Sequence, residues 1–164
     1  MNVDGEAFRS IWLGGDGETV QIIDQTRLPF EFVVVQLQNV ADVVTAISEM
    51  WIRGAPLIGA TAAYGIALAM RDDPSNENLF VAGEKLTMTR PTAVNLCWAV
   101  NQMTKLLLPL APNARLKAAY IRAGQICDED VAICSSIGDH GMQLIHRAWE
   151  TRGKRDRVNV LTHC

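Results

Sequence analysis

The chain has 164 residues, of which 49% are apolar and 20% charged, with a formal net charge of −3. That is one domain's length or slightly more, with enough apolar residues for a real core, which excludes a disordered chain. The acidic balance speaks against a duplex-binding surface, because neutralising phosphates needs clustered Lys and Arg.

The chain opens with residues 6–13, which read as a strand. Gly14-Gly15-Asp16-Gly17 reads as a turn and residues 18–26 as the return strand of a hairpin. After Arg27-Leu28-Pro29, the β-branched run from Phe32 to Leu37 predicts a third strand. Asn39 is placed to cap a helix whose Val40, Val43, Val44, Ile47, Met50 and Trp51 fall on one face. Arg53-Gly54 breaks that helix. A second starts near Ala55, with Pro56 suited to its first turn. It is apolar nearly all round up to Met70, too short for a membrane span, and predicts a central core helix. Ser75 is placed to cap a third helix running to about Leu86. Thr92 is placed to cap a fourth over Ala93 to Leu108. Residues 113–151 read as two more helices, interrupted around Ser135-Ser136-Ile137-Gly138.

Arg157 to Cys164 reads as a buried strand heading into a loop. No residues after it could supply a partner, since parallel strands need a crossover of a dozen or more residues. The pattern fits the first strand of a second α/β domain cut off at its opening. The alternative is a strand that pairs with the N-terminal sheet or with another chain. The expected fold is therefore α+β. A three-stranded antiparallel sheet occupies residues 1–38 and a helical bundle 39–152. Residues 157–164 are expected to form the first strand of a truncated α/β domain. Met1 to Glu6 has neither the basic nor the apolar stretch of a signal peptide.

Four groups of residues could carry chemistry. In Arg53-Gly54-Ala55-Pro56 a glycine leads straight into a helix, whose free N–H groups with a neighbouring guanidinium make an anion site. Arg90-Pro91-Thr92 repeats the arrangement. Two such sites could grip one phosphorylated ligand, although taken singly Gly54 could merely turn the chain with Arg53 in a salt bridge elsewhere, and Arg90 could be a surface arginine before a cap. Asp24-Gln25-Thr26 ends a strand, as polar cleft residues or as a turn. His163-Cys164 comes after the last strand, where open α/β folds place active sites; an inert buried cysteine is the alternative. The four cysteines, at spacings of 30, 7 and 30, fit no zinc pattern. Cys97, Cys127 and Cys134 read as small core fillers within helices. His140 and His146, six apart, lack metal-ligand spacing and read as surface or packing residues.

Taken together, IWL…VQIIDQTRLP at 11–29, RGAPLIGATAAYG at 53–65, TRPTAVNL at 89–96, DEDVAICSSIGDHG at 128–141 and VNVLTHC at 158–164 resemble the methylthioribose-1-phosphate isomerase family. The resemblance runs the length of the chain. The same superfamily includes ribose-1,5-bisphosphate isomerase and the regulatory subunits of a translation-initiation exchange factor. The full TRPTAVNL and LTHC segments favour the methylthioribose enzyme.

The resemblance implies conversion of 5-methylthioribose 1-phosphate to 5-methylthioribulose 1-phosphate in methionine salvage, in the cytoplasm, with no metal or organic cofactor. It also implies that the truncated α/β domain is Rossmann-like and that the full-length protein is a homodimer. The acidic balance and the lack of a long apolar stretch argue against nucleic acid and membrane as partners. Arg53, Gly54 and Ala55 would form the substrate's phosphate loop, Arg90 a second substrate-binding arginine, and Cys164 the catalytic cysteine. The family's catalytic aspartate, its substrate-binding glutamine and its Asn-Lys pair have no counterpart in these 164 residues. The chain alone is therefore expected to turn over negligibly. The expectation differs if it is a non-catalytic interaction module like the initiation-factor relatives, or one half of a split enzyme. Exposed apolar surface around Val158, Val160 and Leu161 would mark a missing domain.

Overall fold

A computed structural model describes residues 2–153 and 157–162. The chain divides into two compact units, Met1–Cys127 and Asp128–Cys164.

The first unit begins with a small hairpin, β1 (Asn2–Val3) with β2 (Glu6–Ala7). The sequence pattern merges β2 into the strand after it, and the structure separates the two. β3 (Ile11–Leu13), β4 (Val20–Ile23) and β5 (Val34–Leu37) then form an antiparallel sheet in the order β3-β4-β5, as the hairpin pattern predicts. The register pairs Ile11 with Ile22 and Val20 with Leu37, all four buried. That alternation puts one face of the sheet on the core. The β3–β4 turn is held by Asp16, whose Oδ1 accepts from the N–H groups of Glu18 and Thr19 at 3.0 and 2.9 Å. The Thr19 hydroxyl donates to Oδ2 at 2.5 Å.

These bonds favour the charged carboxylate. The Thr19 hydroxyl contributes most, and together they lower the Asp16 pKa from 3.8 to about 2. A depressed folded-state pKa means that the stabilisation is complete above the unfolded value near 3.8 and is lost as pH falls through about 2. Acid titration of the hairpin resonances by NMR is expected to show the turn loosening over that window. Asp16→Asn should remove the pH dependence and leave the turn weaker at neutral pH.

After the sheet, the described residues form five helices: α1 (Val40–Ser48), α2 (Ala55–Asp72), α3 (Asn76–Thr89), α4 (Val94–Leu107) and α5 (Pro112–Thr151). Asn39 caps α1 through a bond from the Asp42 N–H, and Ser75 caps α3 through a bond from the Asn78 N–H. α1 is shorter than its apolar periodicity suggests. It ends before Met50, which takes φ 59° and is 43% exposed. The backbone reverses there, and the Trp51 N–H bonds back to the Ala46 carbonyl at 3.0 Å. α2 is the central helix: every residue from Ile58 to Met70 is buried. It packs against α1, α3 and α4, as its continuous apolar character requires.

Among the described residues of this unit, Arg115 is the buried charge, 3% exposed. Its guanidinium donates to the carbonyls of Leu110 (3.1 Å), Pro74 (2.8 Å) and Leu108 (3.1 Å) and to the Asn76 side-chain oxygen. One side chain thereby ties the start of α5 to the end of α4 and to the α2–α3 connection. The Tyr120 hydroxyl donates to the Glu18 carbonyl at 2.9 Å, joining α5 to the β3–β4 turn.

Residues 113–151 are not two helices. α5 runs without a break through Ser135–Gly138, because serine and glycine inside a helix cost only about 0.5–1 kcal/mol each and do not end it. Cys127 is buried, but Cys97 is only half-buried and Cys134 is exposed, so core filling holds for one of the three. His146 lies within 3.4 Å of Glu150 on the surface. Residues 157–162 adopt no strand. The strand expected over 157–164 is thus absent from its described part, and His163 and Cys164 lie outside the described residues. Among the described residues, no helix is long and apolar enough to cross a membrane.

Candidate functional site

Three of the four groups singled out from sequence are brought to one region of the first unit. Arg53 and Gly54 lie directly before α2. Gly54 is its N-cap, with φ 93° and ψ 133° and no side-chain capping bond. Only glycine takes that backbone without strain. Pro56 sits in the first turn and has no N–H to satisfy. The N–H groups of Ala55 and Leu57 are therefore left at the helix end without a side-chain acceptor. Gly54→Ala is expected to cost about 1–3 kcal/mol from the positive φ alone, read as a drop in urea midpoint.

α4 repeats the pattern with one difference from the sequence reading. Its N-cap is Ala93 rather than Thr92, again with no side-chain cap. The Ala93 N–H closes a turn onto the Arg90 carbonyl at 2.9 Å, which moves the helix start one residue on and leaves Thr92 exposed in the turn. Threonine before an apolar run signals a cap only when it holds the N-cap position itself.

The two helix starts are side by side. A Cβ placed on Gly59 would come within 2.9 Å of the Asn95 carbonyl oxygen, so the second turn of α2 lies directly on the first turn of α4. The two positive dipole ends, each with an arginine just ahead of it in the chain, therefore lie near one another. Among the described residues neither guanidinium makes a hydrogen bond or ion pair. Arg53 is exposed and Arg90 half-buried. An arginine held at a helix start without a carboxylate is available to an outside anion.

The third group is tethered to the first. The Gln25 N–H donates to the Trp51 carbonyl at 2.8 Å, two residues before Arg53. Asp24 is engaged in its own turn: its Oδ1 accepts from the Thr26 N–H (2.9 Å) and hydroxyl (2.6 Å). The turn reading of Asp24-Gln25-Thr26 therefore holds. Its effect is to fix the end of β4 beside the Arg53 loop. The sequence pattern does not reveal Gly59 as the residue that brings the two loops together. A glycine among alanines in a buried helix is the available signal. Among the described residues, no group of three or more His, Cys, Asp or Glu could hold a metal ion.

A family model described as the initiation factor 2 subunit family matches residues 51–164. The whole chain aligns with a methylthioribose-1-phosphate isomerase of Paramagnetospirillum magneticum at 52% identity, covering 45% of that relative. The chain thus spans less than half the length of this relative. Crystal structures that match its fold include the following two. One is a subunit delta of translation initiation factor eIF-2B from A. fulgidus, with TM-score 0.69 and 35% identity over 76% of this chain and 38% of that one. The other is a 5-methylthioribose 1-phosphate isomerase from Pyrococcus horikoshii, with TM-score 0.68 and 37% identity over 75% of this chain and 36% of that one.

Proposed function

Since the chain belongs to the initiation factor 2 subunit family, we propose that it supplies the phosphate-gripping half of a 5-methylthioribose 1-phosphate isomerase site, acting in methionine salvage. The observation that carries this reading is the pairing of two uncapped helix starts, each with an arginine ahead of it that is unpartnered among the described residues. The phosphate would sit against the Ala55 and Leu57 N–H groups, with the Arg53 and Arg90 guanidiniums closing on its oxygens.

The chemistry needs such a grip. In the substrate the anomeric oxygen carries phosphate, so the ring does not open freely. The bond between C1 and the ring oxygen breaks and the ring oxygen takes a proton. The hydrogen on C2 moves to C1, and the C2 hydroxyl gives up its proton to become the ketone. No atom is gained or lost. The helix starts and arginines hold the phosphate throughout, which fixes C1 against the groups that move the hydrogens. Cys164 is the residue proposed to act on the reacting carbons. The acid that protonates the ring oxygen is assigned to the part of the relatives without counterpart in these 164 residues. The same reading makes residues 157–164 the opening of that second domain, and the complete protein a cytoplasmic homodimer.

Calorimetric titration of the chain with 5-methylthioribose 1-phosphate and with unphosphorylated 5-methylthioribose tests the reading. Binding of the phosphorylated sugar at least 10-fold tighter is expected from even one charge-assisted contact to the phosphate. Equal affinity for the two, or none for either, would remove the phosphate site. A regulatory domain without catalysis would then lead, since the initiation-factor structure matches the fold as well as the isomerase does.

A further inference from the structure

Within the second unit, α5 carries a broad apolar face. Val131, Ile133, Ile137, Met142, Leu144 and Ile145 are 38–65% exposed. At 3.6 residues per turn these six fall on one arc of about 180°. The other positions on that arc, from Val131 to Trp149, are glycine, alanine, cysteine and tryptophan, so no charge interrupts it. Asp139, His140, Gln143, Arg147 and Glu150 lie on the opposite side. The apolar side chains together expose several hundred Å², at or above the largest patch of an ordinary monomer. Val160 and Leu161 in the same unit are 65% and 99% exposed.

The shape of the face argues for what covers it. Pairing with a second copy of the same helix would need a narrow seam filled by large side chains. The positions nearest the middle of the arc are Ile137, Ala148, Gly141, Cys134, Ile145 and Gly138, four of the six too small to fill such an interface. Half the circumference is apolar instead, the pattern of a helix laid into a larger globular core. The P. magneticum relative, of which this chain covers 45%, has about 200 residues outside the match, which is a domain of ordinary size.

We infer that the Val131–Trp149 face is the docking surface for that additional domain, which must present a complementary uncharged apolar layer. The inference rests on the family assignment and not on the isomerase reading.

Thiol labelling tests it without reference to activity. Ile137→Cys is made in this chain, and a cysteine is placed at the matching position of the full-length P. magneticum relative. Maleimide labelling of each cysteine is then read by peptide mass spectrometry. The position-137 thiol is expected to react on the order of 100-fold more slowly in the full-length relative, since it reacts only when the packed face opens. A cysteine replacing Gln143, on the polar side, is expected to react alike in both. Ala148→Cys is a smaller change on the same arc and serves if the first variant fails to fold. Equal rates at 137 and 148 in the two proteins would overturn the inference. Slow labelling in this chain alone would overturn it too: at high concentration only, a second copy covers the face; at every concentration, the chain itself does.

Discussion

Arg53→Ala and Arg90→Ala are each expected to raise KM for 5-methylthioribose 1-phosphate by roughly 10–150-fold, and kcat much less. The reason is the loss of about 1.5–3 kcal/mol of charge-assisted bonding to an anion held equally in ground and transition states. The measurement belongs in the full-length P. magneticum relative, with the substitutions at the positions matching Arg53 and Arg90, and in this chain by calorimetry. Both guanidiniums close on the same phosphate in this reading, so the double variant is expected to depart from the sum of the two single effects. Lysine should restore the charge without the planar fork and recover only part of the loss. Unchanged KM and affinity in both single variants would mean that these arginines do not face the phosphate.

Replacing Arg115 with methionine is expected to cost about 3–5 kcal/mol of stability, which is comparable to the whole margin of many domains. Methionine keeps much of the volume but leaves the carbonyls of Pro74, Leu108 and Leu110 and the Asn76 side chain without their donor. Thermal unfolding should shift down by roughly 6–20 °C. Arg115→Lys should fall between the two, because one ammonium cannot span four acceptors set around a planar guanidinium. A shift within about 1 kcal/mol for methionine would show that those acceptors find water instead.

The elements are largely legible in the sequence. Alternating and β-branched runs mark β3 to β5, and Asn39 and Ser75 mark two helix starts, because capping and strand patterning are local. Local signals also mislead. The periodicity through Met50 and Trp51 extends α1 past its real end, since the turn there depends on a bond from Trp51 back to Ala46. Serines and a glycine at 135–138 look like a break, yet their small local cost does not stop α5. Arg115 gives no sign of its role, because its acceptors come from positions as far as 41 residues away.

The candidate site divides along the same line. The residue types are readable one loop at a time: an arginine, a glycine or proline, then a helix start. The sequence by itself determined that Arg53-Gly54-Ala55 and Arg90-Pro91-Thr92 could each hold an anion, because N–H groups at a helix end depend only on the few residues around them. Only the tertiary structure decided that the two helix starts lie close together. That depends on α2 and α4 lying close enough for Gly59 to meet the Asn95 carbonyl, a contact between residues 36 positions apart. Long-range proximity is set by how buried faces pack, and no local pattern carries that information.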